Sequence, residues 1–191
     1  MNIGFTKRVL LFSSLLLLGG GGVVMAGDDG GFFSKLRGSM SVKRGVAPVE
    51  NPLYREECGS CHFAYQPGLL PARSWRRVMV GLENHFGEDA ALGKEEAGAL
   101  ESYLVKSAAD HSNYKRSVKI MRSLSSNEAP LRTTDTPYLI GKHNKLSSRH
   151  VVGNPEVASI SNCGACHTQA ESGSFSEREI RIPGFGRWEG D

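Results

Sequence analysis

The chain has 191 residues, of which 23 are Lys or Arg and 20 are Asp or Glu, giving a net charge of +3 with 39% hydrophobic residues. That balance does not call for a nucleic acid or an anionic membrane as partner, and no basic run is interleaved with aromatics. The length allows one or two domains.

Residues 1–26 read as a secretory signal peptide. Lys7 and Arg8 precede an apolar run from Val9 to Leu18, and Val24-Met25-Ala26 offers a small-residue cleavage site. The run is shorter than a comfortable membrane span. The mature chain is therefore expected to start at Gly27, to be periplasmic, and to have no stable membrane insertion. The first 26 residues hold two of the basic side chains and no acidic one, so the remaining 165 residues are close to neutral.

Residues 27–50 open with Gly-Asp-Asp-Gly-Gly and carry Lys35, Arg37, Lys43 and Arg44, with little to bury. This composition predicts a flexible N-terminal arm. Asn51-Pro52 then supplies a helix start, Asn as cap and Pro at the first position. The helix it opens carries Cys58-Gly59-Ser60-Cys61-His62. Pro67 and Pro71 end that helix, and the loop through Leu69 and Leu70 is expected to cover one edge of whatever the cysteine turn holds.

Ser74 is the expected cap of a helix running to Phe86, with Gly87 closing it. Trp75, Val78, Met79, Leu82 and Phe86 share one face of it, and His85 falls on the same face. Gly93 to Ser107, with Ala97, Leu100, Tyr103 and Leu104 in register, predicts a further helix that closes a first domain over 51–110. Asp110 to Asn127 is mostly polar and reads as a connection containing a short helix at Val118, Ile120, Met121 and Leu124. Thr136-Pro137 starts the next helix, whose stripe is Leu139, Ile140, His143 and Leu146. Asn154-Pro155 is a third such start and leads into Cys163-Gly164-Ala165-Cys166-His167. The tail from Glu177, with Ile180, Ile182, Pro183, Phe185 and Trp188, reads as a wrap over this second cysteine turn, closing a second domain over 111–191. Strand-like alternation is scarce, so the fold class is mainly α.

The two Cys-x-x-Cys-His runs contain every cysteine in the chain. This is the attachment sequence of c-type haem. Two thiols on one short turn add across the porphyrin vinyl groups, and the following histidine becomes the proximal iron ligand. Disulfides would not need a histidine after either pair. Paired zinc motifs usually lie about 15–20 residues apart, and these two begin at residues 58 and 163. A thioredoxin-like dithiol needs a strand–helix setting, and its duplication would explain nothing. Two covalently attached haem c groups are expected, bound by Cys58 and Cys61 and by Cys163 and Cys166, with His62 and His167 on the irons. The architecture that follows is two small helical c-type haem domains, each porphyrin forming much of its own core.

Four histidines remain for the sixth iron positions. His85 and His143 lie on apolar helix faces, whereas His111 sits in polar Asp-His-Ser-Asn and His150 follows Ser-Ser-Arg with no periodicity before it. His85 and His143 are therefore the expected distal ligands, with Met79 a competitor better read as packing. If both irons are six-coordinate, no position is open for substrate, and the expected role is single-electron transfer between redox protein partners rather than catalysis. A haem enzyme acting on peroxide or a nitrogen oxide would need one open iron and a distal acid–base set, which does not stand out. A gas sensor would need an output domain.

Cys58-Gly-Ser-Cys-His-Phe-Ala-Tyr-Gln-Pro-Gly-Leu-Leu-Pro, Ser74-Trp75, Asn84-His85-Phe86-Gly87, Thr136-Pro137-Tyr138, Lys142-His143, Asn162-Cys163-Gly-Ala-Cys-His-Thr and Arg181-Ile182-Pro183 together resemble the bacterial dihaem cytochrome c family, over residues 51 to 183. The resemblance implies a first domain similar to class I cytochrome c and a second of less common shape. It also implies low-spin, low-potential bis-histidine haems with His85 and His143 at the matching positions. Its members are similar in serving as electron carriers, for example to an oxygen-binding high-spin cytochrome c or from a membrane b-type cytochrome.

Overall fold

The computed structural model describes residues 43–189; the expected signal peptide and most of the expected arm lie outside them. Among the described residues are six α-helices and one small hairpin, joined by 3-10 turns. Helix α1, Pro52–Gly59, starts as its sequence dictates: Asn51 Oδ1 accepts the Tyr54 amide at 3.0 Å and Pro52 takes the first turn. Helix α2, Ala72–Val80, begins after Pro71 rather than at Ser74, which lies inside the helix, fully buried. Helix α3, Lys94–Lys106, packs on α2 through Leu100 and Leu104. With Tyr54, Leu70 and Trp75 they form a first core, in which the Trp75 indole donates to the Pro67 carbonyl at 2.8 Å.

The expected helix through Phe86 is a correction. Helix α2 stops at Val80, where the Gly81 amide turns back to Val78 O at 3.0 Å, and Leu82–Asn84 forms a 3-10 turn. His85 lies past both, in a tight bend closed by His85 N to Glu88 O at 2.7 Å. Phe86 and Gly87 there have φ of 59° and 106°, a left-handed backbone that glycine tolerates and Phe86 adopts at a cost. Three and four spacing on one helix therefore did not determine where His85 points.

Helix α4, Lys115–Ser123, is longer than the short helix expected, and α5, Pro137–His143, starts after Thr136 as read. Asn154-Pro155 opens no helix. Asn154 is buried, its Oδ1 takes the Glu156 amide at 3.2 Å, and its Nδ2 donates to Pro183 O at 2.8 Å, tying the loop to the tail. The second cysteine turn is the four-residue helix α6, Cys163–Cys166. Strands β1, Arg181–Ile182, and β2, Gly186–Arg187, pair antiparallel in the tail.

A second core contains Val46, Leu69, Ile120, Ala170 and Phe175 and so draws on both halves of the chain. The described residues cluster as one compact unit. The end of the expected arm is anchored rather than loose: Val46 and Val49 are buried, Val46 being 1% exposed, and the Val46 amide donates to Gly173 O at 3.0 Å. Two glycines permit that approach. Gly45 and Gly173 have φ of 73° and 78°, and a Cβ on either would lie 2.3 or 2.2 Å from a carbonyl oxygen of the other segment.

Candidate functional site

The first attachment turn straddles the end of α1. Cys58 sits on its last turn, half-buried, its thiol pushed up to about 11 by burial, and Cys61 is exposed just beyond. His62 Nδ1 donates to Phe63 O at 2.8 Å, which leaves Nε2 as the lone-pair nitrogen. The bend beyond α2 brings the His85 ring to 6.1 Å from the His62 ring, with planes 26° apart. Burial, then His62 and then Arg132, lowers the His85 pKa and favours the neutral imidazole a metal needs. The Arg132 guanidinium lies 3.7 Å from the centre of the neighbouring Phe86 ring.

The second site is more enclosed. A cavity of about 310 Å³ runs from α6 to α5 and is walled by Leu69, Ile120 and Phe175 on one side and by Ile180, Ile182 and Trp188 of the tail on the other. The tail thus covers this site as its apolar residues suggested, whereas Leu69, read as cover beside the first cysteine turn, lines the second cavity. His143 ends α5 and its Nδ1 donates to Leu139 O at 2.8 Å, so Nε2 is again the free nitrogen. His143 and His167 have ring centres 6.1 Å apart and planes 83° apart. Burial first, then His143 and Arg116, lowers the His167 pKa to about 4, so this imidazole stays neutral well into acid. Its buried Nδ1 has no hydrogen-bond partner among the described residues. Burial also pushes the Cys163 thiol up to about 11 and raises that of Cys166. Arg116 reaches the cavity wall, donating to the Tyr138 hydroxyl at 3.2 Å and to the Phe175 carbonyl.

These distances test whether the residues suit an iron porphyrin. Two imidazoles on opposite sides of one metal, each bonded at about 2.0–2.1 Å through a nitrogen about 1.1 Å from its ring centre, have centres about 6.2–6.4 Å apart. Both pairs, at 6.1 Å, are spaced to face one ion between them. The apolar walls and the thiols at the second site suit the flat ring and its vinyl groups. The residues fit the group.

The other two histidines are not brought to either pair. His111 is exposed. His150 is 8% exposed; its Nδ1 accepts the Ser147 amide at 3.1 Å, and its ring packs 4.6 Å from Phe185 and 5.6 Å from Trp188. Met79 packs on the first core. No sequence pattern assigned a role to Tyr65, Gln66 or Arg116. Tyr65 and Gln66 bond to residues about a hundred positions away, at Ser161 and Ala170, and no local pattern carries that information.

Two cysteine turns, each followed by a histidine that faces a second histidine across the width of one iron, define a c-type cytochrome of two haems. The family model described as dihaem cytochrome c matches residues 54–175, and the chain belongs to that family. Two covalently attached haem c groups are its cofactors, held through Cys58 and Cys61 and through Cys163 and Cys166. It is similar to the crystal structure of a dihaem cytochrome c from Shewanella baltica OS155, with 40% identity, a TM-score of 0.62, and 74% of this chain and 99% of that one covered. A dihaem cytochrome c from Rhodobacter sphaeroides is 46% identical with a TM-score of 0.61, over 68% of this chain and 100% of that one. No curated protein matches.

Proposed function

We propose that this chain is an exported electron carrier whose two haems are each held by two histidines, His62 with His85 and His167 with His143. The observation that carries this reading is the common 6.1 Å separation of the two ring pairs. Haem supplies an iron that gains and loses one electron without making or breaking bonds. The protein's part is to hold four neutral imidazoles. Phe63 O and Leu139 O fix the tautomers of His62 and His143, and burial keeps His167 unprotonated. If His62 with His85 and His167 with His143 hold the two groups, no open position would remain for a substrate, which favours a carrier over an enzyme. The basic-then-apolar N-terminus supports export to the periplasm. Redox proteins are the partners, an oxygen-binding high-spin cytochrome c as acceptor or a membrane b-type cytochrome as donor.

The test is a pair of single substitutions in the protein carrying both haems. His85→Ala should leave two haems attached but convert one to a high-spin, carbon monoxide-binding form. His143→Ala should do the same to the other alone. If neither substitution alters the spectrum, the bis-histidine assignment is wrong.

A further inference from the structure

The segment after the first attachment turn bonds to both flanks of the second. Tyr65 donates its hydroxyl to Ser161 O at 2.6 Å, two residues before Cys163, and Gln66 donates through Nε2 to Ala170 O at 2.6 Å, three residues after His167. Tyr54 in turn donates to Tyr65 O at 2.7 Å and fixes its backbone. The Tyr65 ring stands 5.4 Å from that of His62 and 5.3 Å edge-on from Phe63. Its phenol is raised to about 12, by burial first and by nearby Cys163 second. Tyr65 packs against both cores, and Cys163 packs against the second. One aromatic side chain therefore lies between the proximal histidine of the first site and a thioether-forming cysteine of the second.

We propose that Tyr65 is the bridge through which electrons pass between the two haems, with Gln66 clamping the second attachment turn in register. The inference rests on the two-haem carrier reading above. One electron leaves a ferrous iron, which becomes ferric, and reduces the ferric iron on the other side; no proton moves and no bond changes. The route runs from His62 over the Tyr65 ring and through its hydrogen bond to Ser161, then along the backbone to Cys163. A partly buried ring that packs against Phe63 and whose hydroxyl bonds a backbone carbonyl is fixed in one orientation, so the path is held rather than sampled.

The experiment uses the full chain with both haems, reduced by half an equivalent in a rapid-mixing device and freeze-quenched for electron paramagnetic resonance. The unequal imidazole angles give the two ferric irons separable signals, so the electron's redistribution can be timed. Tyr65→Phe keeps the ring and loses the bond to Ser161; exchange should slow about threefold to tenfold. Tyr65→Leu removes both the ring and the bond and should slow it more than Tyr65→Phe does. Both irons should remain low-spin, which a merely disrupted fold would not allow. Wild-type exchange rates in Tyr65→Phe overturn the proposed route even if Tyr65→Leu does not fold. Failure of the bis-histidine reading would look different, as a high-spin signal already present in the unaltered protein.

Discussion

His85 reaches His62 from a bend beside the exposed Phe86, whereas His143 reaches His167 from the last turn of α5 across a cavity walled by apolar side chains. The first pair is nearly parallel at 26° and the second nearly perpendicular at 83°. On the proposed bis-histidine reading, identical ligand types at identical separation would thus be made electronically unlike by the backbone that presents them. Parallel imidazoles both donate into the same iron d orbital and split the pair, while perpendicular ones leave the pair almost degenerate. Enclosure adds a second difference, because a buried iron site disfavours the extra charge of the ferric state.

The largest expected contrast comes from removing the thioethers one site at a time. Cys163→Ala with Cys166→Ala would leave the 310 Å³ cavity without its porphyrin. That strips the apolar walls of their main packing partner, a loss that weighs heavily against a domain stability of about 5–15 kcal/mol. Circular dichroism should show a largely unfolded chain. Cys58→Ala with Cys61→Ala opens no such cavity in the shared core; mass spectrometry should find one haem retained on a folded protein. Equal stability of the two double variants would erase the contrast.

Next in size is the glycine clamp. Gly173→Ala places a Cβ against Val46 O at a φ of 78° and should cost about 1–3 kcal/mol in thermal unfolding. Gly98, within α3 and with nothing near its Cβ position, should behave oppositely, Gly98→Ala stabilising by about 0.5–1 kcal/mol. His150→Ala should cost about 1 kcal/mol through the lost bond from Ser147 and the lost packing on Phe185, leaving both haem spectra unchanged. His111→Ala, on an exposed side chain, should change neither stability nor spectrum. The finest effect is the order of reduction in a redox titration: the more enclosed second haem should take its electron at the higher potential. Reversal of that order would mean that enclosure does not set the difference.

The attachment turns, their following histidines and the Asn51-Pro52 and Thr136-Pro137 helix starts were legible because each is written in a few adjacent residues. His85 and His143 were singled out from helical spacing, yet the helix expected to carry His85 ends at Val80, so the residue was found by an incomplete reason. Ser74 resembled a cap and is a buried interior residue, because Pro71 already starts the helix. The shared core of Val46, Leu69, Ile120 and Phe175 was invisible, since its members come from four separate stretches that no local spacing links. The burial of His150 was hidden for the same reason, its aromatic neighbours lying in the tail.

The central claim is that two histidine pairs of unequal angle hold the two irons. A low-temperature electron paramagnetic resonance spectrum of the fully oxidised protein tests it directly. The prediction is two low-spin ferric signals of one iron each, one rhombic from the near-parallel pair and one highly anisotropic from the near-perpendicular pair. A high-spin signal integrating to one iron, or two superimposable rhombic signals, would contradict it.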